Sequence, residues 1–176
     1  MGLIDDFLPE FQFREIHSRR IRAAAAPVMA AVAGYRPESD PLFRAAIALR
    51  ELPLRLTRRR RPPFGLDDFT LLGREGDREL VYGLAGRFWQ ADYGLIAITD
   101  AAAWRDCVAG GAARLALGFR IAPSGTGGVE LFTETRIICH DRRALRRLRP
   151  YWYLIRPVSG LIRRRILSAI ARRAAG

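Results

Sequence analysis

The sequence predicts an α+β domain: a curved antiparallel sheet wrapped around one long C-terminal helix, with two short helices after the first strand. Three observations carry this. Ala113, Leu115, Leu117, Phe119 and Ile121 alternate with Ala112, Arg114, Ala116, Gly118 and Arg120. Val129, Leu131, Thr133, Thr135 and Ile137 then alternate with Glu130, Phe132, Glu134, Arg136 and Ile138. Period two over such lengths is the pattern of a hairpin with one face inward and the other toward water. Further on, Leu145, Leu148, Trp152, Ile155, Ser159, Ile162, Ile166 and Ala169 recur at steps of three and four, the stripe of a helix packed on one side. Finally, 176 residues are one domain's worth of chain, and residues 1–176 are read as one unit.

Residues 11–22 read as the first strand, with Phe11 and Phe13 alternating with polar neighbours and Ile16 and Ile21 adding β-branched weight. Residues 23–35 read as a short helix: Ala favours helix, and Val28, Val32 and Tyr35 share a face before Gly34 and Pro37 end it. Ser39 or Asp40 then caps a second helix, with Pro41 in its first turn and Leu42, Ala46 and Leu49 on one face. Strands follow at 69–72, 80–84 and 93–99, the first two joined by a turn around Gly76. Residues 100–111 read as a loop with one helical turn holding Trp104, and residues 123–128 as the turn of the long hairpin. Asp141 caps the last helix, which at 1.5 Å per residue extends about 50 Å and is kinked at Pro157.

The formal net charge is +12, with 30 basic residues against 18 acids; every basic residue is arginine, and lysine and asparagine are absent. Such a bias reflects a GC-rich coding sequence rather than selection for guanidinium chemistry. The surplus is localised. Residues 141–176 hold eleven arginines opposed by Asp141 alone, and a further cluster, Arg58-Arg59-Arg60-Arg61, precedes Pro62-Pro63. Charge so placed attracts anionic partners, a phospholipid surface among them, although in this arginine-biased chain a solvated helix face is the plainer reading. No helix-turn-helix or RNA-binding signature points to sequence-specific recognition of nucleic acid. No apolar run is long enough for a membrane span, and the acidic start at Asp5-Asp6 lacks the pattern of a signal peptide, so the chain reads as cytoplasmic. Cys107 and Cys139 are too few for a disulfide framework or a closed zinc site and are expected to be reduced, buried and inert.

A long amphipathic helix closing over a curled sheet encloses an interior that is either packed or hollow. Ser159 and Gly160, small residues midway along the buried stripe, and the bend at Pro157 favour a cavity.

The residues also resemble a known family, the START-like, polyketide-cyclase-like helix-grip superfamily (SRPBCC), over nearly the whole chain. Its opening pattern is matched by Ile21-Arg22-Ala23 followed by Val28-Met29-Ala30-Ala31-Val32. Leu131-Phe132-Thr133-Glu134-Thr135-Arg136-Ile137, Tyr151-Trp152-Tyr153-Leu154-Ile155-Arg156-Pro157 and Ser159-Gly160-Leu161-Ile162-Arg163-Arg164 are similar to a bacterial subgroup of it. Pro27, where many members carry a charged residue, and the arginine run at 58–61 depart from the pattern. The resemblance implies a hydrophobic pocket between sheet and helix that binds, transports or cyclises lipids, polyketides or similar molecules. It implies no particular reaction, because one fold hosts many functions.

Candidates for catalysis are few. His17 and His140 stand alone, no Ser or Cys lies in a nucleophile motif, and the adjacent pairs Asp5-Asp6 and Asp67-Asp68 diverge, as neighbours on a strand do. Glu134 and Arg136 read as an outward-facing ion pair. No catalytic residue, metal or cofactor is assigned. The cavity is expected to be lined by Tyr82, Trp89, Phe119, Thr133, Thr135, Trp152 and Ser159, aromatic bodies with a few hydroxyl anchors. The expected function is binding or transport of a small hydrophobic molecule. The alternatives are a cyclase or dehydratase drawing on His17, Glu134, Asp92 or nearby tyrosines, and a basic helix docking on anionic membrane or nucleic acid.

Overall fold

In the computed structural model, residues 2–51, 64–125 and 127–175 are described. The arginine run at 58–61 lies outside them. The chain forms α1 (Leu3–Phe7), β1 (Phe13–Ile21), α2 (Ala25–Ala33), α3 (Pro41–Arg50), β2 (Thr70–Glu75), β3 (Glu79–Gly86), α4 (Ala101–Asp106), β4 (Ala113–Ser124), β5 (Gly128–Cys139) and α5 (Arg142–Ala175). This is the expected α+β architecture: a five-stranded, curved antiparallel sheet in the order β1-β5-β4-β3-β2, two short helices after the first strand, and a long C-terminal helix.

Register places side chains on the two faces as the alternation predicts. Leu117 pairs with Thr135 and Phe119 with Thr133 across β4 and β5, and Glu15 and His17 continue those rows onto β1. The inner face packs against α2 and α5 through Val28, Met29, Val32, Leu131, Leu167 and Ile170. Toward the start of α5, Leu148 and Trp152 join Phe13, Ile137 and Phe88 in a second cluster. Asp141 caps α5 through Ala144 N–H at 2.7 Å, and its other oxygen takes Gly111 N–H at 2.5 Å. Both Pro150 and Pro157 lie within α5.

The outer face departs from expectation. It is not simply solvated: α1 and α4 cover it, with Ile4, Phe7 and Leu8 from the N-terminal segment and Trp104 from α4 packed on Leu72, Val81 and Ala116. Gly83 makes room, since a Cβ there would lie 2.7 Å from the Trp104 ring and from Leu72. Trp104 donates its indole N–H to the Leu84 carbonyl at 3.2 Å. Glu134 and Arg136 do occupy this face, 2.6 Å apart, but Arg136 is buried beneath the N-terminal segment and also binds Asp5 at 2.7 Å and the Leu8 carbonyl at 2.9 Å.

Residues 93–99 form no strand. β4 holds one edge of β3 and β2 holds most of the other, pairing ending at Thr70 with Gly83. Only the last residues of β3 remain open there, and the segment meets them through Ile96 N–H to the Ala85 carbonyl and Arg87 N–H to the Tyr93 carbonyl. Tyr93, at φ 62°, turns the chain before a ladder can extend. Among the described residues no helix is long and apolar enough to cross a membrane.

Candidate functional site: an apolar cavity under the C-terminal helix

A cavity of about 590 Å³ lies between the inner face of the sheet, α5 and α3. Its position follows from how α3 is fixed. Asp40 caps α3 by accepting from Leu42 and Phe43 N–H, and its second oxygen receives Arg165 Nε of α5 at 2.9 Å. One carboxylate thus starts the helix and ties it to α5. None of the residues of α3 is buried, yet Phe43, Ala46 and Ile47 line the cavity. An apolar helix face held over empty space, rather than packed into a core, is what makes this volume a pocket.

The sheet contributes Tyr82, Leu117 and Phe119, and α5 contributes Ile155, Ser159, Ile162, Arg163 and Ile166. Tyr35 of the α2–α3 connection, with Phe64 and Phe69, completes much of the remaining wall. The mouth is marked by apolar side chains left in water: Leu49 is 74% exposed and Leu154 77%.

Of the residues named from the sequence, Tyr82, Phe119 and Ser159 lie on the cavity wall. The other four lie elsewhere. Trp152 is buried against Phe13, ring centres 5.5 Å apart, and Trp89 packs at the edge of the same cluster. Thr133 and Thr135 face inward but lie beneath α5, outside the lining. α5 lies over β1 and β5, and the free volume opens over β4 and β3, toward α3.

The polar groups form a seam between α5 and strands β1 and β5. Glu15, 7% exposed, has one oxygen 2.8 Å from His17 Nε2 and receives Ser159 Oγ–H on the other at 3.1 Å. Arg163 donates to Thr135 Oγ1 at 2.9 Å. The Ser159 hydroxyl therefore faces a carboxylate rather than an imidazole, and the trio does not activate it as a nucleophile.

The ionisable groups of the described lining are Tyr35, Tyr82, Tyr151, Arg50 and Arg163. Burial raises the pKa of all three tyrosines, so they are neutral donors at physiological pH. Burial pushes Arg163 down to about 10, with Glu15 opposing that shift. Arg50 is engaged on every side: it donates to the Phe88 and Gln90 carbonyls and stacks over Tyr93 at 3.7 Å and Tyr151 at 5.0 Å. Of the enzyme candidates, the tyrosines stand on this wall, whereas His17 bonds Glu15 on β1, Glu134 is on the outer face and Asp92 is exposed and caps Gly94 N–H. Cys139 is buried, its thiol pushed up to about 11, whereas Cys107 is only half-buried, because it follows α4 at the sheet's margin. No cluster of three metal-ligating side chains occurs among the described residues.

Arg163 and Arg50 were absent from the sequence reading of the site. For Arg163 a signal existed: it stands four residues after Ser159 and three before Ile166, on the buried stripe. No protein-family model and no curated protein matches the chain. Among solved structures, the crystal structure of TTHA0849 from Thermus thermophilus matches at 10% identity, covering 93% of this chain and 97% of that one. Its TM-score is 0.31, a superposition that carries no argument for fold or function.

Proposed function

We propose that this protein is a cytoplasmic carrier or sensor that binds a small, predominantly apolar molecule in the cavity between its sheet and α5. The observation that carries the reading is the unburied apolar face of α3 held over a space of about 590 Å³, within the range of about 300–1,000 Å³ typical of ligand pockets. Binding rather than catalysis is favoured because the described lining offers hydroxyls and arginines but no carboxylate, imidazole or thiol to move a proton. The element order and the resemblance to START-like helix-grip proteins support the same reading.

Native mass spectrometry of the full chain purified from its host tests it. A non-covalent small molecule that leaves on denaturation is the expected result. A chain that carries nothing and binds no apolar probe at saturating concentration overturns it.

The exterior of α5 supports a second, compatible role, docking on anionic membrane. Leu154 and Val158 are exposed at the cavity's edge, and Leu161, one turn on, is exposed beside them. Arg143 and Arg147, eleven and seven residues before Leu154, fall on the same helix face and are exposed. Apolar side chains flanked by cations suit an anionic lipid surface, where an apolar cargo would be collected or delivered.

A further inference from the structure

Ten of the eleven arginines between 141 and 176 are exposed; Arg163 is the one drawn inward. It lines an apolar cavity, and its single hydrogen-bond partner among the described residues is the neutral Thr135 hydroxyl. The buried Arg136 makes a useful contrast. Arg136 is matched by two carboxylates, Asp5 and Glu134, and by the Leu8 carbonyl. A guanidinium withdrawn from water without a counter-anion is costly, and proteins pair such charges. Glu15 is the closest acidic influence on Arg163, yet no ion pair forms between them, and its oxygens are occupied by His17 and Ser159. Burial lowers the affinity of Arg163 for its proton, as expected for a cation lacking a partner.

Resting on the cavity reading above, we propose that the ligand carries a carboxylate at one end and that Arg163 receives it, with the apolar remainder lying along the α3 wall. The planar guanidinium fork matches a carboxylate in size and geometry and uses two parallel N–H donors. Tyr82 on the sheet side of the same cavity offers a further hydroxyl, whereas the Ser159 proton is already given to Glu15. Arg50 does not serve this role, because two backbone carbonyls and two aromatic rings already hold it. One cation with Glu15 in its field balances a single negative charge better than the two of a phosphate monoester.

Titration calorimetry of the full chain at pH 8 with dodecanoate, dodecanol and dodecyl phosphate, all below micellar concentration, tests this. Dodecanoate is expected to bind at least tenfold more tightly than dodecanol and more tightly than the phosphate. R163Q is expected to cut dodecanoate affinity at least tenfold, to the affinity that dodecanol shows with the unmodified protein. Equal affinities in the unmodified protein, a preference for the phosphate, or a preference that survives R163Q overturns the carboxylate assignment and leaves the cavity reading intact. Binding of none of the three overturns the cavity reading as well. A second measurement does not depend on the variant folding. Carboxyl-13C dodecanoate bound to the unmodified protein should titrate at lower pH than the same molecule free in water, and a midpoint equal to or above the free value refutes the contact.

Discussion

Ser159 of α5 donates its hydroxyl to Glu15 of β1 across 3.1 Å, and the next residue, Gly160, presents no side chain where a Cβ would lie 3.3 Å from the other oxygen of the same carboxylate. The two small residues in the buried stripe thus do different work. Ser159 borders the cavity and pins the helix; Gly160 lets β1 approach. Replacing Ser159 by Ala leaves a buried carboxylate oxygen one donor short, which costs about 1–3 kcal/mol. Urea unfolding should show a lower midpoint at unchanged slope. A midpoint equal to that of the unmodified protein would mean that water replaces the hydroxyl without loss.

Filling the cavity separates its role in binding from its role in stability. Ile162 lines it from α5 and is only partly buried. Ile162→Trp adds an indole where the structure has unoccupied volume, so thermal stability should change little while affinity for an apolar probe such as dodecanol falls at least tenfold. Undiminished dodecanol binding by this variant would place the binding site elsewhere.

Much of this arrangement is legible in the sequence because it is written in long periodic segments. The twelve-residue strands β4 and β5 and the 34-residue α5 repeat their pattern often enough to fix type and facing. The five-residue α1 has no room for a period, and its purpose, covering the outer face beside Trp104, is set by contacts distant in sequence. Residues 93–99 carry a strand-like composition, but pairing depends on a free edge, which composition does not encode. The cavity illustrates the same limit. Tyr82, Phe119 and Ser159 could be placed by facing alone, whereas excluding Thr133, Thr135 and Trp152 required knowing where α5 crosses the sheet.

Arg136 and its two carboxylates predict a specific acid response. The Gly2 N–H and the Arg136 guanidinium hold Asp5 below its ordinary pKa. Burial alone would raise Glu134, but its bonds to Arg14 and Arg136 outweigh that and hold it below as well. Both carboxyls bind protons more readily in the unfolded chain, so their contribution is complete above the ordinary carboxylate range near about pH 4. It is lost as pH falls through their folded values. Arg136→Met breaks a buried pair from one side, at a cost of about 3–5 kcal/mol near neutrality. The variant should also lose less stability between pH 5 and pH 3 than the unmodified protein, in urea titrations at each pH. Parallel loss in the two proteins would remove Arg136 from the acid response.

The cationic face of α5 makes the membrane reading testable apart from the cavity. Arg143 and Arg147 are exposed, contribute nothing to the cavity lining, and share a helix face with the apolar side chains at its mouth. Near an anionic surface each basic residue adds about 1 kcal/mol of attraction, so reversing two charges should reduce binding to phosphatidylserine vesicles at least tenfold. Salt should weaken the unmodified protein's vesicle binding in the same direction, because the attraction is screened within about 10 Å at 0.1 M. Dodecanol affinity in Arg143→Glu/Arg147→Glu should stay within twofold, since neither side chain reaches the pocket. Vesicle binding that is absent in the unmodified protein, or indifferent both to the reversal and to salt, would leave α5 with a solvated cationic face and no membrane to meet.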